Sequence, residues 1–375
     1  MRVHRVELRL VGLPLVRPFR TSFGISTEKV CVLVRVETDE AEGWGECVAD
    51  VRPGFSEEFN EGVWLVVRDL LAPAVLDAGE FELEDLERIL AFVRGNPMAK
   101  ATLIDACLDA DLRARERSLA AFLVAERTRV ECGVSVGITS TTQELLDQVE
   151  GYLAAGYRRI KLKIEPGLDL ERVDAVRHAN PDAMLSVDAN AAYSLGDVEV
   201  FRALDAHDLV MVEQPLHHDD LVQHAELQRA IRTDVCLDES IRSAAGAEAA
   251  VRLGSCRIIN IKQGRVGGVP EARAVHDVAL AAGVPVWCGG MLETGIGRAV
   301  NLALAAMPGF TLPGDTSASS RYFLEDLTEP FEMAPDGTMA VPNGVGIGIA
   351  PLPGRLETCT LRTELLGSNT VIPPI

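Results

Sequence analysis

The 375-residue sequence has no C-x-x-C pair, no long apolar run and no excess of basic residues. Its 36 Lys and Arg are outnumbered by 56 Asp and Glu, which gives a formal net charge of −20. Nucleic acids and anionic membrane surfaces both need a basic footprint, so we expect neither as the main partner. No stretch approaches 18 uninterrupted apolar residues, and the first residues lack the apolar core of a signal peptide. The sequence therefore predicts no membrane association and no secretory leader.

The eight cysteines are scattered, at positions 31, 47, 107, 132, 236, 256, 288 and 359. This spacing favours reduced, buried thiols in a cytoplasmic protein over a disulfide framework or a zinc site. The remaining composition, 47% hydrophobic and 25% charged, is that of an ordinary soluble protein. An anionic substrate of so acidic a chain would need a local cluster of positive charge, such as a metal ion.

Residues 1–125 are predicted to form a small α+β domain. Val3–Leu10 and Val30–Glu37 have strand character, and Pro14–Thr27 between them is predicted to be a loop. From about residue 56 the pattern turns helical, as in Ala99–Glu116. The tail, residues 321–375, is rich in Pro and Gly and is predicted to pack back on this domain.

Residues 126–320 alternate short apolar runs with amphipathic stretches of about 10–15 residues, which is typical of βα units and a parallel sheet. The pattern predicts a modified (β/α)₈ barrel with an imperfect last unit. Helices are expected at Leu168–Asn180, Ser243–Leu253 and Pro270–Ala282. The predicted strands are Glu131–Gly137, Arg159–Ile164, Met184–Asp188, Leu209–Glu213, Val235–Asp238, Ile258–Lys262, Pro285–Cys288 and Phe310–Pro313.

Charged residues end five consecutive predicted strands. These are Lys163, Asp188, Glu213, Asp238 and Lys262, separated by 25, 25, 25 and 24 residues, so one βα unit separates each from the next. In a parallel barrel the carboxyl ends of the strands form one rim, where catalytic residues lie. A lysine pair alone is usually a solvated face, and a lone acid is usually a helix cap. Five such residues in this order favour a catalytic site.

The order around the rim is base, three acids, base, which suggests a specific chemistry. Three converging carboxylates repel one another unless a hard cation joins them, and oxygen-only ligation suits Mg²⁺, with Mn²⁺ as a substitute. A bound metal can hold a substrate carboxylate and stabilise the enediolate that forms when the neighbouring carbon loses its proton. Lys163 and Lys262 are placed to reach that carbon from opposite faces.

Lys161 and Lys163 alternate along one strand, so both point to the same side with their Cα atoms about 6.6 Å apart. A free lysine, with a pKa of about 10.4, is a poor base at neutral pH. Burial, a like charge and a bound Mg²⁺ each favour the neutral amine. We therefore assign Lys163 as a base and Lys161 as the neighbour that tunes its pKa.

The chain resembles the enolase superfamily, muconate-lactonising subgroup, and within it the N-succinylamino acid racemase/o-succinylbenzoate synthase family. The motifs that carry this resemblance span the chain: Pro18–Gly24 (PFRTSFG), Gly43–Cys47 (GWGEC), Cys132–Gly137 (CGVSVG), Val187–Asn190 (VDAN), Glu213–Leu216 (EQPL), Leu237–Ser240 (LDES), Cys288–Arg298 (CGGMLETGIGR) and Leu312–Ser319 (LPGDTSAS).

The resemblance implies a site, residue by residue. Asp188, Glu213 and Asp238 are the implied metal ligands, and Lys163 and Lys262 the implied acid/base residues. It also implies a capping domain whose loops, near residues 18–24 and 48–56, close over the barrel mouth, and a homo-oligomer acting on a small carboxylate substrate. The positions implied for substrate contact are Phe19, Ser135, Gly289, Gly290 and Met291.

Three positions bear on which reaction and which substrate are preferred. Arg265 matches an arginine of members that racemise, so it favours racemase activity beyond synthase activity; the alternative is a surface salt bridge. Gln263 departs from the Lys-Pro-Gly-Arg of relatives. Asp50 and Phe55 occupy the capping loop where relatives carry an apolar residue and a tyrosine, so both are candidate specificity residues. Asp50 faces the substrate or instead pairs with a basic side chain such as Arg52.

Several other functions remain as alternatives. Dipeptide epimerases usually carry Asp-x-Asp on strand eight, where this chain has Pro313-Gly-Asp-Thr-Ser. A muconate-type cycloisomerase is a further relative. A Schiff-base lyase would use one lysine as a nucleophile and would not need three carboxylates. A non-catalytic binding protein would have no use for paired bases. The sequence also leaves open whether the role is menaquinone synthesis or amino-acid conversion.

Overall fold

The computed structural model describes residues 1–22 and 24–367. Phe23 of the Pro18–Gly24 motif and residues 368–375 of the predicted C-terminal segment lie outside the described residues. The strands are β1 (Val3–Thr21), β2 (Gly24–Thr38), β3 (Glu42–Glu46), β4 (Arg129–Glu131), β5 (Gly133–Val136), β6 (Arg159–Lys163), β7 (Met184–Asp188), β8 (Val212–Glu213), β9 (Val235–Leu237), β10 (Ile258–Ile261), β11 (Val286–Cys288), β12 (Thr338–Ala340) and β13 (Thr360–Gly367).

The α-helices alternate with the later strands and follow the first three. They are α1 (Asn60–Val66), α2 (Ala72–Asp77), α3 (Leu86–Leu90), α4 (Pro97–Ala114), α5 (Leu119–Phe122), α6 (Thr142–Ala154), α7 (Leu170–Ala179), α8 (Val198–Leu204), α9 (Leu221–Ala230), α10 (Ala244–Leu253), α11 (Gln263–Val266), α12 (Val269–Ala281), α13 (Gly295–Ala305) and α14 (Pro353–Cys359). In the described part of the chain, none of these helices has the length and apolar character needed to cross a bilayer.

The capping domain is built on an antiparallel sheet of order β13-β1-β2-β3. Strand β13 pairs with β1 from Arg5 opposite Gly367 to Val11 opposite Thr360. The described end of the tail, β13, therefore joins the N-terminal sheet, whereas β12 in the earlier part of the tail pairs with β4. The sheet has buried side chains on both faces. Successive side chains of a strand point to opposite sides, so Cys31 and Leu33 join the barrel core, whereas Val32 and Val34 join the core under the capping helices.

The loop predicted over Pro14–Thr27 is wrong. Strand β1 continues to Thr21 and β2 begins at Gly24, so the segment forms the tip of a long hairpin. Its pairing is irregular between Pro14 and Phe19. Prolines 14 and 18 lack an N–H to donate, so they interrupt the ladder without ending the hairpin.

Helix α4 packs directly on β3, and the Gly43-Trp-Gly45 sequence makes this contact close. A Cβ at Gly43 would lie 2.2 Å from the Ala106 carbonyl oxygen, and one at Gly45 would lie 2.0 Å from that of Thr102. Such distances are far below a van der Waals contact, so only glycine permits the two backbones to approach this closely.

The barrel consists of seven parallel strands in the order β5 to β11, with helices between them. The predicted eighth strand at Phe310–Pro313 is wrong in detail, because this stretch makes only isolated bridges, Val286 to Phe310 and Cys132 to Gly314. Pro313 cannot donate to a ladder, which limits the pairing. The bridges nevertheless lie on both edges of the sheet, so the (β/α)-barrel with an imperfect last unit and an α+β cap is confirmed.

Candidate active site

The three predicted metal ligands lie together at the carboxyl ends of neighbouring strands. Asp188 ends β7 and Glu213 ends β8, and the register places them opposite each other. Asp238 follows directly after β9, the next strand in the sheet. All three side chains are fully buried. The rim that the spacing predicted is therefore present, and the three carboxylates face the interior of the barrel mouth.

Each of these carboxylates is paired with a lysine. Lys163 Nζ lies 2.6 Å from Asp188 Oδ2, and Lys262 Nζ lies 2.7 Å from Asp238 Oδ2. The middle acid, Glu213, accepts from Lys161 at 2.8 Å. The two lysines predicted as bases therefore stand at the two ends of the row of acids, as the sequence order requires.

Lys161 lies deepest of the three lysines and touches the most acids. Its ammonium group is 2.7 Å from Asp315, 2.8 Å from Glu213 and 3.3 Å from Asp188, and it sits over the Trp287 ring. Burial acts to lower the pKa of Lys161, but the three carboxylates raise it well above the ordinary value. Lys161 thus lies beside Lys163 among three acids, in the position expected of the neighbour that tunes it.

Lys262 shows the same balance of effects. Burial and the Lys161 charge lower its pKa, as the sequence argument requires of a base, but Asp238, Glu213 and Glu239 outweigh them and raise it. A cation bound to these carboxylates would cancel part of their negative charge. The pKa of Lys262 would then fall, which favours the neutral amine.

The donor set fits a hard divalent cation. Burial and the neighbouring charges of Asp188 and Asp238 raise the pKa of Glu213 to about 8, although Lys161 opposes the rise. At Glu213 the neighbouring carboxylates thus disfavour the charged form, whereas Lys163 and Lys262, against the effect of burial, hold the pKa of Asp188 and of Asp238 below the ordinary value. A divalent cation would relieve the repulsion at Glu213. A separate cluster, His217, His218 and Asp219, also brings possible ligand atoms within 4.8 Å of one another, but it lies toward the surface and outside the rim.

Asn190 and Glu239 belong to the site, although sequence reasoning gave neither a role. Asn190 Oδ1 accepts from Lys163 Nζ at 2.6 Å, and its Nδ2 donates to Glu239 Oε1 at 3.0 Å. Burial and the adjacent acids Asp238 and Asp188 raise the pKa of Glu239 to about 7. The signal was available, since both residues lie in the VDAN and LDES motifs, within two positions of a predicted ligand.

A small cavity of about 70 Å³ lies on the rim beneath the capping domain. Two wider surface grooves run along α6, and neither is lined by a rim lysine or carboxylate. The cavity is lined by Lys161, Lys163, Lys262, Asn190, Asp315, Ser26, Thr21, Leu292, Tyr322 and six of the predicted substrate-contacting residues, Phe19, Asp50, Phe55, Ser135, Gly290 and Met291.

The surroundings of three of these lining residues, Ser135, Phe55 and Asp50, bear on how a ligand could bind. The Ser135 hydroxyl is buried and has no hydrogen-bond partner within the described chain, so it is free for a ligand. The Phe55 ring lies 4.5 Å from Lys262 Nζ. Asp50 is half-buried and forms no salt bridge with Arg52 in residues 1–22 and 24–367.

Gly289 and Arg265 lie beside the rim but do not line this cavity. A Cβ at Gly289 would lie 2.7 Å from Lys262 Cε, so this glycine makes room for the lysine. Arg265 is buried and donates to Asp238 and to the carbonyls of Ile241 and Asn260. It is therefore neither a substrate contact in this geometry nor a surface salt bridge; it holds a predicted metal ligand from behind.

A buried ion pair that the sequence did not predict lies under Lys161. Arg159 is fully buried, donates to Asp315 Oδ1 at 2.8 Å and to Ser186 Oγ at 3.2 Å, and stacks over Trp287. Although burial opposes it, Lys161 and Arg159 lower the pKa of Asp315 to about 2. Asp315 is consequently ionised and doubly neutralised.

Two family models match the chain. Residues 5–123 match the mandelate racemase/muconate lactonizing enzyme N-terminal domain, and residues 144–354 match the enolase C-terminal domain-like family. Among curated proteins, the N-succinylamino acid racemase of an Amycolatopsis species is 53% identical over 369 residues, covering 98% of this chain and all of that protein. The o-succinylbenzoate synthase of Geobacillus stearothermophilus is 46% identical and covers 92% of both chains.

The fold has close solved neighbours as well. The crystal structure of an enolase superfamily member from Listeria innocua superimposes with a TM-score of 0.94 at 39% identity. The match covers 98% of this chain and 100% of that structure. The similarity thus extends over both the cap and the barrel, and the cavity lies between them.

Proposed function

The chain belongs to the enolase superfamily, in the family of N-succinylamino acid racemases and o-succinylbenzoate synthases, and we propose that it removes the proton next to the carboxylate of an N-acyl amino acid. One observation carries the proposal. Lys163 and Lys262 stand at the two ends of a row of three buried carboxylates and line the same cavity. A substrate carboxylate held at the row would present its α-carbon between two amines.

Asp188, Glu213 and Asp238 would hold the metal, Mg²⁺ or Mn²⁺. When bound, the cation supplies positive charge to the substrate carboxylate as that group gains negative charge on loss of the neighbouring proton. The chain orients its ligands from behind: Asn260 donates to Glu213 Oε1 at 2.7 Å, and Arg265 donates to Asp238. Such supporting bonds set the direction of the ligand oxygens.

The two lysines would remove a proton from one face of the substrate and deliver another proton to the opposite face. A neutral amine accepts the α-proton on one side while an ammonium group returns one on the opposite side, so the configuration inverts. Asn190 fixes Lys163 through its side-chain oxygen, and Phe55 covers Lys262. Lys161 keeps its charge among the acids and contributes positive potential instead of a proton.

The second lysine favours racemisation in addition to o-succinylbenzoate formation. Dehydration needs a base on one face only, where the proton leaves, whereas racemisation needs an acid/base group on each face. Arg265 and Lys262 share Asp238, which links the arginine of racemising members to the second base.

The residues that line the cavity suggest how the substrate is recognised. The unpartnered Ser135 hydroxyl is a candidate donor to the acyl group, and Phe19, Gly290 and Met291 supply neighbouring surface. Asp50 adds a carboxylate to the wall, where the buried Lys29 is its cationic neighbour, and a charged group at this position disfavours a large apolar side chain. N-succinyl-Arg and N-succinyl-Lys should therefore be handled relatively better than by relatives with an apolar residue there.

The buried Arg159–Asp315–Lys161 cluster disfavours dipeptide epimerisation. A dipeptide brings a free ammonium group, which needs an unpaired carboxylate. Asp315 is the cavity-lining acid of the last barrel unit, but Lys161 and Arg159 already neutralise it at 2.7 and 2.8 Å. An N-acyl amino acid has no such ammonium group and needs no such partner.

The proposal is tested by ¹H NMR in D₂O with each enantiomer of a panel of N-succinyl amino acids, beside an assay for o-succinylbenzoate formation. The unmodified protein should wash deuterium into both enantiomers. Lys163→Ala should stop exchange of one enantiomer, which the resemblance gives as L, while Lys262→Ala stops exchange of the other. Both variants should fail to racemise. Equal exchange of both enantiomers in either variant would contradict the two-base scheme.

We also propose a cytoplasmic location and a homo-oligomer. All eight cysteines are buried free thiols, which suits a reducing compartment. The oligomer is proposed by analogy with the family, and light scattering on the purified protein would test it.

A further inference from the structure

The segment Gly290–Thr294 of the barrel is held from the capping domain by two buried, oppositely charged side chains. Lys29 on β2 is 2% exposed, and its Nζ donates to the backbone carbonyl of Met291 at 2.9 Å. Glu46 at the end of β3, also 2% exposed, holds the other end of the segment at Thr294. We call Lys29 and Glu46 the cross-domain clamp.

Glu46 acts as a helix cap supplied by another domain. It accepts from the Thr294 N–H at 3.0 Å, the Thr294 hydroxyl at 2.7 Å and the Gly297 N–H at 2.9 Å. Helix α13 begins at Gly295, so Glu46 satisfies N–H groups that its first turn leaves without intrahelical partners. Glu46 therefore adds to the helix's own N-cap, Thr294, whose hydroxyl accepts from the Ile296 N–H.

Lys29 remains charged although it is fully buried. Burial lowers its pKa, but Cys31 and the acidic groups Asp50, Glu46 and Glu293 raise it overall. A charged donor makes a stronger hydrogen bond to a carbonyl than a neutral one. The bond to Met291 is thus a strong tether between the two domains.

The tethered segment touches a proposed base. Met291 Sδ lies 3.4 Å from Lys262 Nζ, and Met291 and Leu292 both line the cavity. Leu292 has φ +57, a left-handed conformation that a branched side chain adopts only where the surroundings enforce it. The segment consequently depends on outside contacts for its shape, and the clamp provides them on both sides of Leu292.

We propose that Lys29 and Glu46 are positioning residues that hold Met291 against Lys262, so that the capping domain sets the reactivity of one base and not of the other. The inference rests on the proposed two-lysine function. Lys163 receives its support from Asn190, on the opposite side of the carboxylate row. Loss of the clamp should therefore act selectively on the face that Lys262 serves.

The experiment uses Lys29→Met in the full chain with two readouts. The first is amide hydrogen exchange of the peptide spanning 289–297, which needs no catalysis. The second is α-proton exchange in D₂O of each enantiomer, with the Lys262 face defined as the one that Lys262→Ala abolishes. The matched control is Lys100→Met, because Lys100 also donates to a backbone carbonyl, that of Val93, but within the capping domain. Lys29→Arg, which keeps a charged donor, serves as the rescue.

In Lys29→Met, amide exchange in 289–297 should rise about tenfold. Turnover of the Lys262-face enantiomer should fall roughly tenfold or more in kcat, while the other enantiomer changes less than about threefold. Lys100→Met should change neither readout, and Lys29→Arg should recover most of the loss. Unchanged amide exchange, or an equal loss for both enantiomers, would overturn the proposal.

If Lys29→Met does not fold, the same two readouts are measured on Lys29→Gln. The glutamine side chain is uncharged and one bond shorter than that of lysine, so it too loses the bond to the Met291 carbonyl. Failure of the function itself has a different signature. Lys163→Ala and Lys262→Ala would then show no enantiomer-selective loss, and the clamp would be judged by the amide exchange of 289–297 alone.

Discussion

Gly289→Ala gives a direct test of how tightly Lys262 is placed. Gly289 follows β11 and does not need a left-handed backbone, so alanine is allowed conformationally. The new Cβ would, however, lie 2.7 Å from Lys262 Cε and 2.3 Å from Asn260 Oδ1. The substitution therefore adds one methyl group against a proposed base and against a residue that supports Glu213.

The size of the effect follows from these distances. Carbon atoms pack best at about 3.5–4.0 Å, so Lys262 Cε must move by roughly 1 Å. A misplacement of about 1 Å at a reacting group can lower the rate by about 10²-fold. We expect that loss in kcat for the enantiomer served by Lys262. The other enantiomer should lose several-fold, because Asn260 donates to Glu213 and must also shift.

The assay is α-proton exchange in D₂O with each enantiomer, analysed for kcat and KM separately. A control for the added methyl group is Gly151→Ala, where a Cβ meets nothing within 4 Å. If Gly289 contacts the substrate instead, KM should rise with little change in kcat. Wild-type kcat for both enantiomers in folded Gly289→Ala would refute the steric argument.

Three further outcomes are expected. Chelation should abolish turnover, and Mg²⁺ or Mn²⁺ should restore it; full activity of metal-free protein would contradict the mechanism. Glu213→Gln should weaken metal affinity because an amide lacks the carboxylate charge. Asp50→Met should shift kcat/KM from N-succinyl-Arg towards N-succinyl-Phe, and an unchanged ratio would mean that Asp50 does not read the side chain. Burial raises the pKa of Asp105 to about 7, so the folded chain holds a proton that the unfolded chain, with a pKa of about 3.9, releases. The free energy of unfolding should thus decrease as pH rises from about 4 to about 7. Asp105→Asn, which cannot ionise, should recover at most about 4 kcal/mol at pH 8 and about 1.5 kcal/mol at pH 5. Equal gains at both pH values in thermal or urea unfolding would contradict this.

The sequence by itself determined the barrel and the position of its rim. A βα unit has a nearly fixed length, so charged residues 24 or 25 positions apart after successive apolar runs must reach the same edge of a parallel sheet. Lys163, Asp188 and Glu213 illustrate this, since the strand register pairs Lys163 with Asp188 and Asp188 with Glu213. The order of bases and acids is therefore a local, periodic property that can be read without coordinates.

Backbone irregularity was harder to predict. Prolines weakened the strand signal of residues 14–27, yet β1 and β2 stay paired there, because the regular register of Arg5–Pro14 continues into the hairpin and pairing resumes at Phe19 opposite Ser26. The Phe310–Pro313 stretch had the apolar character of a strand, but Pro313 has no N–H to donate and Phe310 forms only an isolated bridge with Val286. In both places the pairing with neighbouring backbone, and not the apolar pattern alone, decided the outcome.

Only the tertiary structure decided which side chains support the site. The motif of Arg265 indicated only a link to racemase activity, and it is the turn at α11 that directs this side chain onto Asp238. The bond from Lys29 to Met291 joins residues 262 positions apart, and Glu46 caps a helix 248 positions away. No periodicity relates such residues, because their approach depends on how the capping sheet packs on the barrel. The order of the lysines and carboxylates on the rim is thus determined by their positions in the sequence, whereas the contacts that hold these side chains in place form only in the folded structure.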